Sequence, residues 1–185
     1  MAFKEWRVVV DALGRGEQIV ILRKGGISEG RDGFRVEHEN FWLFPTEFHQ
    51  QREGVVESAK MGFDHISWPS EGLVRIEFRA EVVAARRLAA LEIAERLRGQ
   101  HIWRDEVIAE RFDWGRDEGI YAMALRVSRL LEPVELSLVD AYGGCKSWVE
   151  LGCDLPQTTE PVLGEAAFAD KLALFREAVE GEVAG

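Results

Sequence analysis

The sequence predicts an α+β fold, with a mixed sheet or a partly open β-barrel and flanking helices. Short runs of β-branched and aromatic residues lie between glycine and proline turns, and helix-like stretches interrupt them. A doubly wound sheet is disfavoured because the helices and strands do not alternate strictly. The chain has 185 residues, of which 46% are hydrophobic. We therefore expect one domain, residues 1–185, with one core.

The first half of the chain is expected to begin with a helix and to continue with short strands. Apolar residues at helical spacing predict an amphipathic helix over residues 3–13. The β-branched run QIVILR predicts a buried strand over residues 18–23. Two further strands are expected at 34–36 and 41–44, and Thr46 is the predicted N-cap of a helix that follows.

The second half is expected to combine long strands with three helices. Strict alternation of apolar and charged residues predicts a half-buried strand over 74–84. Helical composition predicts helices over 88–97 and 104–112. The runs GIYAMALRVSRL and VELSL predict two adjoining strands separated by Pro133. An apolar stripe predicts a C-terminal helix over about 165–179 that packs on the core.

Charge and hydropathy restrict the class of protein. The net charge of -10 argues against broad binding along a nucleic-acid backbone. Residues 1–100 hold 15 basic and 16 acidic side chains, whereas residues 101–185 hold 8 and 17, so we expect any anion site in the first half. No apolar run is long enough for a membrane span, and the first residues are charged, which predicts a cytoplasmic protein without a membrane segment.

The stretch RKGGISEGRDGFRVEHENFWLFPTEFHQQ, residues 23–51, combines the residue types that a pocket for a flat anion needs. Two basic residues at a strand end, beside glycines, suit a phosphate or carboxylate, while aromatic rings supply a stacking face and polar side chains read base edges. The alternative is a tight glycine turn followed by a capped helix. The candidate ligand-binding residues are Arg23, Lys24, Trp42, Phe44, His49 and Gln50.

A second reading is a divalent-metal phosphodiesterase or nuclease. Magnesium-dependent cleavage needs acidic ligands and a nearby base, and four residues offer these groups. The close E-x-K spacing of such sites is absent, and no histidine pair indicates zinc. The residues therefore favour a binding protein, without cofactor or metal, over an enzyme. The alternative catalytic set, with Mg as its cofactor, is Glu5, Glu37, Glu39 and Lys24.

A third reading is a protein-interaction domain. In it, the acidic C-terminal half docks a protein partner or a second copy through the stripe of Phe168, Leu172 and Phe175. The tryptophans outside the candidate pocket are expected to pack in the core or at its rim. These tryptophans are Trp103, Trp114 and Trp148.

Several segments carry a family resemblance. FKEWRVVVDALGRGEQIVILRKGGI, FWLFPTEFHQ, HIWRDEVIAERF, LRVSRLLEPVEL and YGGCKSWVEL resemble the bacterial family known as domain of unknown function 1802. The opening WRVVVDALGRGEQIVILRKG is also similar, more distantly, to the start of ASCH and other PUA-like barrels, with Gly16 and Arg23 at the ends of the matching segment.

This resemblance implies a PUA-like barrel that binds RNA, modified bases or nucleotides in a cleft beside it. Our leading hypothesis is a binding module for a nucleobase, a nucleotide or a short segment of RNA or DNA. Because the chain is acidic, such a module has one local pocket, and we expect its affinity to depend only weakly on salt.

Overall fold

A mixed seven-stranded sheet dominates the computed structural model, which describes residues 1–24, 28–30, 33–35, 38–47, 52–60, 69–115, 118–144 and 146–180. The strands are β1 (Ala2–Trp6), β2 (Val20–Arg23), β3 (Ser28–Gly30), β4 (Gly33–Arg35), β5 (Asn40–Thr46), β6 (Leu73–Leu88), β7 (Ile120–Ser137), β8 (Trp148–Val149) and β9 (Thr159–Pro161). The helices are α1 (Arg7–Gly14), α2 (Glu57–Lys60), α3 (Leu91–Glu95), α4 (Asp105–Asp113) and α5 (Glu165–Glu180), with a 3-10 helix at Asp140–Tyr142.

The sheet is open, and its strand order is β2-β7-β6-β5-β1-β8. β9 pairs with β7 beside this path, while β3 and β4 form a separate two-stranded sheet. β1 and β5 run parallel, and the other ladders are antiparallel. Within the described residues the sheet does not close into a barrel. The predicted α+β class with a mixed sheet and flanking helices is confirmed.

The N-terminal segment corrects the predicted helix over 3–13. Residues Ala2–Trp6 form β1, and the helix begins only at Arg7. Phe3 and Trp6 fit a helical spacing, but Phe3 pairs in the ladder with β5 and is fully buried. Pairing with a neighbouring strand therefore outweighs the local pattern.

Two further expectations concern strand ends. Thr46 is the last residue of β5, and its hydroxyl donates to the backbone oxygen of Glu5 at 3.1 Å, while most of the helix predicted after it lies outside the described residues. Pro133 does not divide two strands, because β7 runs continuously through it. The β6–β7 register shifts between Ile76 and Phe78, and Pro133 lies in this irregular part of the ladder. A residue without an N–H is tolerated at such a position.

Buried side chains form two clusters, and β5 contributes to both. Phe41 and Leu43 belong to the main cluster, whereas Trp42 and Phe44 belong to the second. Alternate residues of a strand point to opposite faces of a sheet, which explains the division. The predicted C-terminal helix is present as α5 and packs on the main cluster.

None of the helices in the described ranges is long and apolar enough to cross a membrane.

Candidate anion-binding site

Arg23 connects the two edges of the open sheet. It ends β2, the strand at one edge, and its side chain reaches the strands at the other edge. Nη1 donates to the backbone oxygen of Lys4 at 3.0 Å, and Nη2 donates to the hydroxyl of Ser147 at 3.1 Å. The guanidinium also lies 4.9 Å from the centre of the Phe3 ring. Arg23 thus joins sheet edges that no backbone ladder connects in the part of the chain that the structure describes.

Glu5 is a buried carboxylate beneath Arg23. It lies in β1 with 1% of its surface exposed. One oxygen accepts the backbone N–H of Trp6 at 2.8 Å, and the other lies 3.4 Å from Nη1 of Arg23. A buried carboxylate requires such partners, because removing its charge from water without them costs on the order of several kcal/mol.

Arg111 places a second guanidinium beside this pair. It extends from α4, donates from Nη1 to the backbone oxygen of Leu22 at 3.1 Å, and lies over the Trp103 ring at 4.0 Å. The Trp6 ring centre is 5.2 Å away. Burial lowers the pKa of Arg111 to about 10, and although Glu5 acts in the opposite direction, repulsion from Arg23 adds to the effect. The guanidinium remains charged at neutral pH.

Lys24 places a third cation at the end of the helix that carries Arg111. Its Nζ donates to the backbone oxygen of Phe112 at 2.7 Å, at the C-terminal end of α4. A cation is favoured there because helix carbonyl dipoles point toward it. We call Arg23, Lys24, Arg111 and Glu5 the cationic cluster.

The cationic cluster contains more positive than negative charge. The guanidiniums of Arg23 and Arg111 both lie near the carboxylate of Glu5, and among the described residues no carboxylate lies within ion-pair distance of Arg111. Buried or half-buried charges are normally paired, and an incoming anion would supply the missing partner. This excess occurs in a chain whose net charge is -10. Such an excess is chemically suited to a phosphate or a carboxylate.

The predicted site residues are only partly brought together. Arg23 and Lys24 both belong to the cationic cluster. Trp42 and Phe44 are buried in the second cluster, on the opposite face of β5, and the Phe44 ring packs against that of Tyr142 at 5.3 Å. His49 and Gln50 lie outside the described residues.

The two described carboxylates of the metal hypothesis, Glu5 and Glu39, are separated in space. Glu5 pairs with Pro45 in the β1–β5 ladder, whereas Glu39 precedes the first residue of β5. Six strand positions, or roughly 20 Å, separate these two places. Glu37 lies outside the described residues. Within the described ranges, no group of three or more metal-ligating side chains is present.

The stripe proposed for protein docking is largely occupied within the chain. Phe168 and Phe175 are 2% and 1% exposed and belong to the main core, and Leu172 packs against it. These side chains are therefore not available to a partner without unpacking α5.

Two cavities elsewhere in the described structure differ from the cationic cluster in the balance of charge on their walls. One of about 850 Å³ has three ion pairs among its lining residues: Glu57–Lys60, Arg98–Asp105 and Arg104–Glu106. The other, of about 550 Å³, is lined by equal numbers of basic and acidic side chains, and Phe44 forms part of its wall. Neither shows the excess of positive charge found in the cationic cluster.

Sequence reasoning did not identify Arg111, Trp6 or Trp103 as site residues. Within α4, Ile108 and Phe112 form the buried side, and Arg111 lies at its border. Two partners of its guanidinium, Leu22 and Trp6, come from distant parts of the chain, so no local motif marks it. An arginine beside the apolar stripe of a helix was the one available signal.

Comparison with known proteins agrees with the resemblance in the sequence. The family model described as Domain of unknown function (DUF1802) matches residues 2–173. The chain belongs to this family. No curated protein matches it significantly.

Two solved structures resemble the chain in fold. One is the crystal structure of ASCH from Zymomonas mobilis, at 12% identity and a TM-score of 0.44, covering 93% of this chain and 92% of that chain. The other is a point mutant of the same Zymomonas mobilis protein, at 13% identity and a TM-score of 0.43, covering 93% and 94%.

Proposed function

We propose that this member of the DUF1802 family binds a nucleotide or a short nucleic-acid segment through the cationic cluster. The phosphate would lie against Arg23, Lys24 and Arg111. The observation that supports the proposal is the local excess of positive charge, above all the half-buried Arg111 without an acidic partner among the described residues. Arginine suits this role because its planar fork can bind a phosphate with two hydrogen bonds.

The size of the cluster limits the ligand. Three cations can neutralise only a few phosphates, and the remaining acidic surface repels a long polyanion. For a single strand that contacts up to three phosphates, the slope of log K against log salt has a magnitude of at most about 2. A much steeper slope would contradict binding at one small site.

The direct test is fluorescence anisotropy with labelled single-stranded and double-stranded RNA and DNA, with and without magnesium. Each charge-assisted hydrogen bond contributes about 1.5–3 kcal/mol. Arg111→Met should therefore weaken binding roughly 10- to 100-fold. Arg176→Ala is the matched control, because it removes a positive charge from the exposed face of α5, away from the cluster.

Each result has a distinct meaning. If Arg111→Met and Arg176→Ala lost the same amount of affinity, the attraction would be nonspecific, which would contradict a defined binding site. Absence of binding to every oligonucleotide would contradict the proposal. A denaturing gel run on the same samples would detect cleavage. Metal-dependent shortening of the strand would favour the phosphodiesterase reading instead.

A further inference from the structure

Trp114 is a large apolar side chain left in water. We expected it in the core or at its rim, but it is 72% exposed. It follows the last residue of α4 in an extended conformation, with φ -67° and ψ 135°. Among the described residues, its side chain has no hydrogen bond or ring contact. The fold gains little from a tryptophan at this place, whereas a ligand can use its ring.

Lys24 connects Trp114 to the cationic cluster. Its Nζ bonds to the oxygen of Phe112, two residues before Trp114. Its Cε lies 3.8 Å from the position that a Cβ on Gly115 would occupy. The side chain of Lys24 therefore runs along the turn that carries Trp114, and Arg111 precedes this turn by three residues. The backbone on both sides of Trp114 therefore lies beside the side chain of Lys24.

We propose that Trp114 stacks on a base of single-stranded nucleic acid whose phosphate is bound by the cationic cluster. This inference rests on the proposed function and narrows it to a ligand class. A nucleotide carries its base one sugar away from its phosphate, so neighbouring cation and ring sites match its covalent structure. A base inside a duplex is already stacked on its neighbours, so the exposed ring selects single strands.

The test compares two labelled oligonucleotides of equal length, an oligouridylate and an abasic strand with the same number of phosphates. Wild type should bind the base-bearing strand roughly tenfold more tightly, within the range that stacking of one base provides. Trp114→Ala should remove this preference and leave the affinity for the abasic strand unchanged. Trp114→Phe should restore part of the preference.

Controls separate stacking from general loss of apolar surface and from misfolding. Leu131→Ala removes an exposed side chain from β7, and it should leave the preference intact. Because Trp114 is exposed, its variants should fold normally, which circular dichroism checks. If wild type bound both strands with the same affinity, and if Trp114→Ala changed neither affinity, the stacking inference would be overturned. Phosphate binding by the cationic cluster would remain supported. Absence of binding to both strands would overturn the proposed function and the inference together.

Discussion

The same substitution should destabilise the protein at Arg23 but leave its stability nearly unchanged at Arg111. Arg23 neutralises Glu5, which is 1% exposed, and makes three hydrogen bonds. Arg23→Met leaves that carboxylate buried and without its cation. Breaking a buried pair in this way costs about 3–5 kcal/mol of the free energy of unfolding.

Arg111→Met should be nearly neutral for stability. Burial lowers the pKa of Arg111 from its ordinary value to about 10, which disfavours the charged form by roughly 3 kcal/mol. The hydrogen bond to Leu22 and the contact with the Trp103 ring stabilise the folded protein by about 2–4 kcal/mol. These contributions nearly cancel, and methionine preserves an unbranched apolar stem. We expect a change in the free energy of unfolding of less than about 1.5 kcal/mol.

These two stability predictions are checked by urea denaturation of both variants and wild type at pH 7, followed by circular dichroism. Binding is measured on the same samples. We expect Arg111→Met to lose affinity for the oligonucleotides while retaining its stability. If Arg111→Met lost as much stability as Arg23→Met, the guanidinium would be a structural partner, and the reasoning from uncompensated charge would be refuted.

Two further predictions concern the interior. Burial lowers the pKa of His101 to about 4, so the unfolded state, with a pKa near 6.5, binds more protons between these values. The free energy of unfolding should therefore fall by up to about 3 kcal/mol as the pH drops through that window, and His101→Gln should flatten the profile in chemical denaturation. Gly14→Ala places a Cβ 2.2 Å from Cζ of Phe78, which should cost about 1–3 kcal/mol. Thermal unfolding should show a smaller cost in a Phe78→Leu background, and an equal cost there would contradict the clash.

The sequence was informative wherever a pattern is local and long. Strict alternation over 74–84 predicted the core of β6, and the helical stripe predicted α5 almost to the residue. It failed where pairing with a distant strand decides the conformation. The segment of Phe3 and Trp6 has an apolar spacing that fits a helix, yet β5 and β8 pair with it and hold it as a strand.

The candidate site shows the same contrast between residues that the local sequence marks and residues whose position depends on the sheet. The basic residues Arg23 and Lys24 were visible at the end of a strand, and the structure keeps them together. Trp42 and Phe44 looked like neighbours of that site, but the strand places both in the other cluster. A shift of one residue along a strand changes the face on which a side chain lies, and composition alone does not fix that face.

By itself, the sequence determined the α+β class, the family and the presence of basic residues after a buried strand. These depend on local periodicity and composition, which each segment carries on its own. Only the tertiary structure brought Arg111 to Arg23 and left Trp114 in water beside Lys24. Both arrangements depend on how α4 packs against β1 and β2. Contacts between segments about ninety residues apart are set by the whole fold, so no single segment encodes them.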